Sequence, residues 1–178
     1  KTMSMIVSQI PTTTAIGFRV FGHNSGNNPY TPVLAKVKEI AQTKSGKYKV
    51  TASQDSYLGN VSGGCSATSQ IIPVKQNNAL KVLSGMNSVN VGGATPLTLA
   101  LKQAVEFDFS GLSTTYPKKI ILITDGGENC GGDPCAYAAK LASERKDIIV
   151  DVVLVSSYYT ELKCLANVTG GKFYTPQT

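Results

Sequence analysis

Two short loops of this chain carry oxygen-bearing side chains in places where chemistry could be done. Gly92-Gly93-Ala94-Thr95-Pro96 puts a hydroxyl directly before a helical run, and Thr124-Asp125-Gly126-Gly127-Glu128-Asn129 follows an apolar strand with a carboxylate. Ligands of open α/β sheets bind just beyond the carboxyl ends of the strands. A hydroxyl and a carboxylate that meet there are hard donors, suited to Mg2+, Mn2+ or Ca2+ rather than to zinc or copper. Thr95 and Asp125 are therefore the candidate metal residues. Each also has a plain structural use. A Thr before Pro is a helix N-cap, and an Asp before two glycines is a turn former.

Thiol chemistry is the second candidate. The cysteines are Cys65, Cys130, Cys135 and Cys164. An even count in a chain of this size points to disulfides and an oxidising compartment. Free thiols are one alternative. A tetrathiolate zinc site is another, and only Cys130 and Cys135 have the close spacing it needs. Four cysteines allow three pairings, and spacing alone does not choose among them. Enzymatic signatures are missing: there is no Gly-x-x-x-x-Gly-Lys-Ser/Thr phosphate loop and no Gly-x-Ser-x-Gly elbow. The single His23 with Cys130 is too sparse a pair to build a nucleophile on, so His23 reads as structural or solvated.

The elements that must position these residues alternate. Thr2–Ile10 reads as the tail of a helix stopped by Pro11, and Ala15–Phe21 as a strand closed by Gly22. Residues 24–64 are bounded by Asn/Gly/Ser-rich runs and read as an insertion, with a helix over Thr31–Thr43 and a short strand over Tyr48–Ala52. A regular pattern follows: strand Ser69–Val74, helix Asn77–Met86, helix Pro96–Phe107, strand Lys119–Thr124, helix Pro134–Glu144 with Asp133 as N-cap, strand Ile148–Val155, helix Thr160–Val168 ended by Gly170, and strand Lys172–Thr175. The continuous apolar run at Lys119–Thr124 is that of a parallel strand buried on both faces. Strands alternating with helices imply an α/β fold, a mostly parallel sheet with helices on both faces.

The 178 residues, 42% hydrophobic and 16% charged, suit one globular domain rather than a disordered chain. No run approaches the roughly 20 apolar residues of a membrane span, so membrane insertion is not expected. No leader pattern opens the sequence. The net charge of +6 comes from scattered lysines, with Arg only at 19 and 145, and reads as a solvated surface rather than a nucleic-acid footprint.

GGATPLTLAL (92–101) followed by IILITDGGENCGGDPC (120–135) resembles the von Willebrand factor A domain, in its bacterial branch with a Cys-containing loop. IGFRVFGH (16–23), the Cys65 segment and CLANVTGGKFY (164–174) match that branch in the same order. The resemblance implies a Rossmann-like sheet, over a single domain spanning 1–178 with the insertion at about 24–64. It also implies a metal-ion-dependent adhesion site that holds Mg2+, or Mn2+ or Ca2+, and leaves one position open for a carboxylate of a protein partner. Thr95 matches the second part of that site and Asp125 the third. The first part, an Asp-x-Ser-x-Ser loop after a central strand, has no match: no Asp precedes Ala15. Thr95 and Asp125 alone offer too few ligands, so cation binding by these residues is expected to be weak or lost. The central strand is expected from an upstream or separate segment, because without it two sheet edges stand open.

In the family's order Cys164 lies on a helix beside the one that opens at Pro134, and Cys65 lies across the site. Cys65–Cys130 with Cys135–Cys164 is thus the favoured pairing of the three. The implied function is non-catalytic adhesion in an extracytoplasmic protein. Two alternatives stand beside it. One is an intracellular regulatory subunit next to an ATPase module, which free thiols would favour. The other is an adhesin module binding through its 24–64 insertion without metal.

Overall fold

The computed structural model describes residues 2–23, 56–59, 63–90, 92–156 and 159–175. The helix expected over Thr31–Thr43 and the strand over Tyr48–Ala52 lie outside these residues, as does most of the 24–64 segment. The chain opens with α1 (Thr2–Ser8), then β1 (Ile16–Phe21), β2 (Thr68–Lys75) and α2 (Ala79–Asn87). It continues with α3 (Leu97–Gln103), β3 (Lys118–Thr124), α4 (Pro134–Glu144), β4 (Ile148–Leu154), α5 (Lys163–Thr169) and β5 (Phe173–Tyr174).

The fold class is α/β. β3, β4 and β5 form a parallel sheet, with Lys118 opposite Ile148 through Thr124 opposite Leu154, and Val152 opposite Phe173. Parallel strands need crossovers, and α4 and α5 supply them. β1 and β2 form a separate antiparallel pair running from Ile16 opposite Lys75 to Phe21 opposite Thr68. The single sheet expected from the alternation is thus two sheets among the described residues, because no strand bridges β1 and β3.

The core lies where α3, α4 and α5 pack on β4. Val150 and Val152 of β4 are fully buried, together with Leu97, Ile148, Leu154 and Leu165. Tyr57, at the far end of the segment read as an insertion, joins this core. Its ring stacks at a tilt on Tyr137, centroids 5.4 Å apart, and its carbonyl accepts from Asp133 N at 2.7 Å. Burial holds the Tyr137 hydroxyl well above the usual phenol range.

Several local readings change in physical detail. The run expected as one helix over Pro96–Phe107 is α3 followed by a π turn at Ala104–Asp108. The wider turn brings Asp108 to Arg19, which donates from Nε at 2.6 Å and from Nη2 at 2.7 Å. The same guanidinium donates from Nη1 to Gln103 at 2.7 Å. α4 keeps its expected bounds, and Asp133 caps it by accepting from Ala136 N at 2.9 Å. α5 ends at Gly170, whose φ of 81° is the left-handed C-cap geometry that glycine adopts without strain. β3 departs from the burial expected of it: Leu122 is buried, but Ile120 and Ile123 are only half-buried and Ile121 is 40% exposed.

Candidate functional site

The carboxyl ends of β1 and β3 open onto one rim. After β1 the chain turns at Gly22, whose φ is 69°, and Gly22 O accepts from Gly92 N at 3.3 Å. The 92–95 loop therefore lies across the end of β1. At its other end Thr95 N donates to Asn129 Oδ1 at 2.6 Å, and Thr95 O accepts from Asn129 N at 3.3 Å. The loop after β3 is thereby tied to the loop before α3.

Glu128 strengthens that tie. Its Oε2 accepts from Thr98 N and from Thr98 Oγ1, both at 2.8 Å, and its Oε1 accepts from Cys130 N at 2.9 Å. A carboxylate from a distant loop thus does the work of an N-cap for α3. Thr95 does not: the cap position falls on Pro96, and no side chain of the helix's own start makes the bond. The expected N-cap role for Thr95 is corrected on that ground. The negative charge at this helix end also meets the positive end of the backbone dipoles.

All four cysteines are paired. Cys65–Cys130 and Cys135–Cys164 both bridge Cα atoms 5.6 Å apart. This is the pairing favoured above. Free thiols and the zinc site give way to it, because bonded sulfurs are not thiolate ligands. The same bond ties up the Cys130 thiol that a pair with His23 would need. Cys65–Cys130 fixes the β3 loop to the start of β2, and Cys135–Cys164 fixes the start of α4 to α5.

Asp125 stands exposed at the lip of the rim, directly after β3. Its turn is held from beside it: Thr124 Oγ1 donates to Gly126 O at 2.8 Å and accepts from Gly126 N at 3.3 Å. The hydrogen bonds that join the two candidate loops run through Asn129 and Glu128 rather than through Asp125. Among the described residues no three His, Cys, Asp or Glu side chains gather as a metal-holding group. His23, at the end of β1, is 7% exposed, with its Nε2 3.4 Å from Ser69 Oγ. Burial, and next the charge of Arg19, lower its pKa, so the imidazole is neutral at pH 7.

Glu128, Asn129 and Tyr57 have no sequence signature in these roles. Glu128 acts across 30 residues from Thr98, beyond the reach of any local spacing rule. A capping box would have shown its acid three residues after the cap.

No family model matches the chain. It is similar to two uncharacterized proteins of Bacillus subtilis (strain 168). Identity to YwmC is 27% over 181 residues, covering 100% of this chain and 66% of YwmC. Identity to YwmD is 29% over 157 residues, covering 86% of this chain and 55% of YwmD. The chain thus spans about two thirds and about half of the lengths of these curated relatives. Among solved structures, proximal thread matrix protein 1 from the mussel byssus is similar at 25% identity and a TM-score of 0.48, over 62% of this chain and 30% of that one.

Proposed function

We propose that this chain is a non-catalytic protein-binding domain of an extracytoplasmic bacterial protein, built on the von Willebrand factor A plan, with the rim as its contact face. The observation that carries this reading is the bracing of the rim. Two loops from different parts of the chain are joined by the Thr95–Asn129 pair and the Glu128 carboxylate, the Cys65–Cys130 bond ties the second of them to the segment before β2, and Asp125 is left exposed at the lip. Such a surface loses little conformational freedom when a partner docks, which is where much of the cost of binding lies. Two disulfides accord with an oxidising compartment and disfavour the intracellular alternative.

The donor set limits what a cation finds here. The Glu128 carboxylate is engaged by Thr98 and Cys130, which leaves the Thr95 hydroxyl and the Asp125 carboxylate as the hard donors of these loops. Two are short of what Mg2+, Mn2+ or Ca2+ takes from a protein and its waters, so the described residues do not by themselves make up the site. A cation-dependent contact with a partner's carboxylate then rests on further oxygens from outside the described residues.

Calorimetric titration of Mn2+ into the natural full-length protein and into the 1–178 chain tests this. Saturable binding is expected for the longer protein, with loss in Asp125→Ala and little or none for 1–178. No binding by the longer protein, or binding that Asp125→Ala leaves unchanged, would overturn the cation reading. Adhesion of the intact protein that chelator leaves untouched would move the contact away from a metal-dependent rim.

A further inference from the structure

The imidazole of His23 is buried at the carboxyl end of β1, 7% exposed, and it is poorly bonded there. Its Nε2 lies 3.4 Å from Ser69 Oγ, a long contact, and its Nδ1 has no hydrogen-bond partner among the described residues. A neutral imidazole carries one N–H and one bare nitrogen. The cation carries two N–H groups and a charge. Both donors then need acceptors, and the Ser69 hydroxyl serves only one of them. A buried charge without a partner is far costlier than a buried neutral ring.

Among the described residues, the surroundings do not offset that charge. β1 supplies Arg19, a second cation, whose guanidinium is already engaged by Asp108. β2 contributes Ser69 and has no acid, and its Lys75 lies at the far end, opposite Ile16. The Gly63–Ser66 turn and the 92–95 loop hold no charged side chain, and Cys65 is bonded to Cys130. Burial and the Arg19 charge both favour the neutral ring.

A charged ring is thus accommodated only in water, and it reaches water by displacing its cover. The 92–94 loop lies over the Gly22–His23 backbone. A Cβ on Gly22 would fall 2.8 Å from Ala94 O, and one on Gly93 would fall 3.2 Å from Gly22 O and 3.5 Å from His23 O. This end of the loop is weakly held: Gly92 and Gly93 are exposed, and Gly92 N reaches Gly22 O at 3.3 Å. The other end is held at Thr95 by Asn129.

We propose that His23 is an acid-sensitive latch of the rim: on protonation its ring leaves its buried place, and the Gly92–Ala94 loop comes away from the end of β1. In the open rim the ring is solvated and titrates at the ordinary value of 6.5. The closed rim is therefore at full strength above about pH 6.5, and below it opening rises by about tenfold per pH unit until the closed ring itself titrates. Thr98 and Cys130 are held by Glu128 and stay in place. Release of a partner on acidification rests on the contact-face reading of the rim; the latch itself does not.

Amide hydrogen exchange by NMR on the natural full-length protein, expressed as protection relative to the free peptide at each pH, tests it. From about pH 7.5 to about pH 5, protection of Gly22 and Gly92 is expected to fall at least about 10-fold, while that of Thr98 and Cys130 changes less than about 2-fold. The His23 Cε1–H signal is expected to move over the same pH range as the Gly92 loss. Unchanged protection at Gly22 and Gly92 would overturn the proposal. So would an equal fall at Thr98 and Cys130, which marks general loosening by acid, or a His23 ring that titrates while Gly92 stays protected. His23→Gln keeps a polar side chain that does not titrate and is expected to abolish the pH dependence; a fall that persists in it would assign the effect to another group and overturn the latch. Should that variant fail to fold, the parent protein decides by itself, since separate midpoints for the His23 signal and the Gly92 loss would also overturn it.

Discussion

Replacing Glu128 by Gln tests the bracing of the rim at one atom. The carboxylate offers one oxygen to both Thr98 donors and the other to Cys130 N. In Gln one of those oxygens becomes NH2. If the NH2 faces Cys130, that backbone N–H loses its acceptor; if it faces Thr98, the Thr98 N–H loses its own. No rotamer saves both. An amide group left unpaired in a partly buried place costs about 1–3 kcal/mol, and the lost charge adds to it, so about 2 kcal/mol is expected. At about 2–4 °C per kcal/mol for a chain of this size, the midpoint of thermal unfolding falls by about 4–8 °C. Differential scanning calorimetry at neutral pH reads it. Thr98→Val removes only the hydroxyl and provides the second edge of a double-mutant cycle, for which a coupling of at least about 0.5 kcal/mol is expected because both changes act on one oxygen. A midpoint within about 1 °C of the parent, or strictly additive changes, would refute the reasoning.

The disulfides close loops of 65 and 29 residues, worth about 4 and about 3.5 kcal/mol in chain entropy, so Cys65→Ala/Cys130→Ala and Cys135→Ala/Cys164→Ala should each lower the calorimetric midpoint by roughly 8–16 °C; a change under about 2 °C in either pair would contradict this. Asp147 bonds Arg145 and the buried Lys118, which hold its carboxyl well below the ordinary value of 3.8. Its contribution is therefore full above the unfolded carboxylate range and is lost as pH falls below it. Melting followed from pH 7 to about 2 should show that Asp147→Asn is less stable at neutral pH and less sensitive to acid than the parent. Gly59 and Gly170 both have positive φ, but a Cβ at Gly59 would strike the backbone of Cys130–Gly132 while one at Gly170 meets open space. Gly170→Ala should cost about 1–2 kcal/mol and Gly59→Ala distinctly more, by chemical denaturation; equal costs would argue against the packing of Tyr57–Gly59 on the rim.

The α/β class was legible because its signals are local. β3 carries an unbroken apolar run from Ile120 to Ile123, Asp133-Pro134 is a cap followed by a first-turn proline, and Gly170 ends α5; each depends on neighbours a few residues apart. Thr95 and Asp125 were legible as rim residues for the same reason, since each sits beside the element that carries it. The partner of each loop was not. Glu128 reads as one more polar residue in a glycine-rich turn until the fold brings Thr98 to it. Tyr57 reads as part of an insertion until its ring reaches Tyr137. The π turn that aims Asp108 at Arg19 joins residues 89 apart.

The sequence by itself determined the strand and helix periodicities, the even set of cysteines and the hard-oxygen residues at two loop positions. Only the tertiary structure decided that the rim is braced through Glu128 and Asn129, and which sulfurs meet. It also decided that, among the described residues, β3 pairs with β4 along one edge and with no strand along the other. The physical reason is that periodicity and capping are written in contacts a few residues apart. Closure of a loop by a distant carboxylate, or the vacancy of a sheet edge, exists only once chain segments far apart in sequence have been placed side by side.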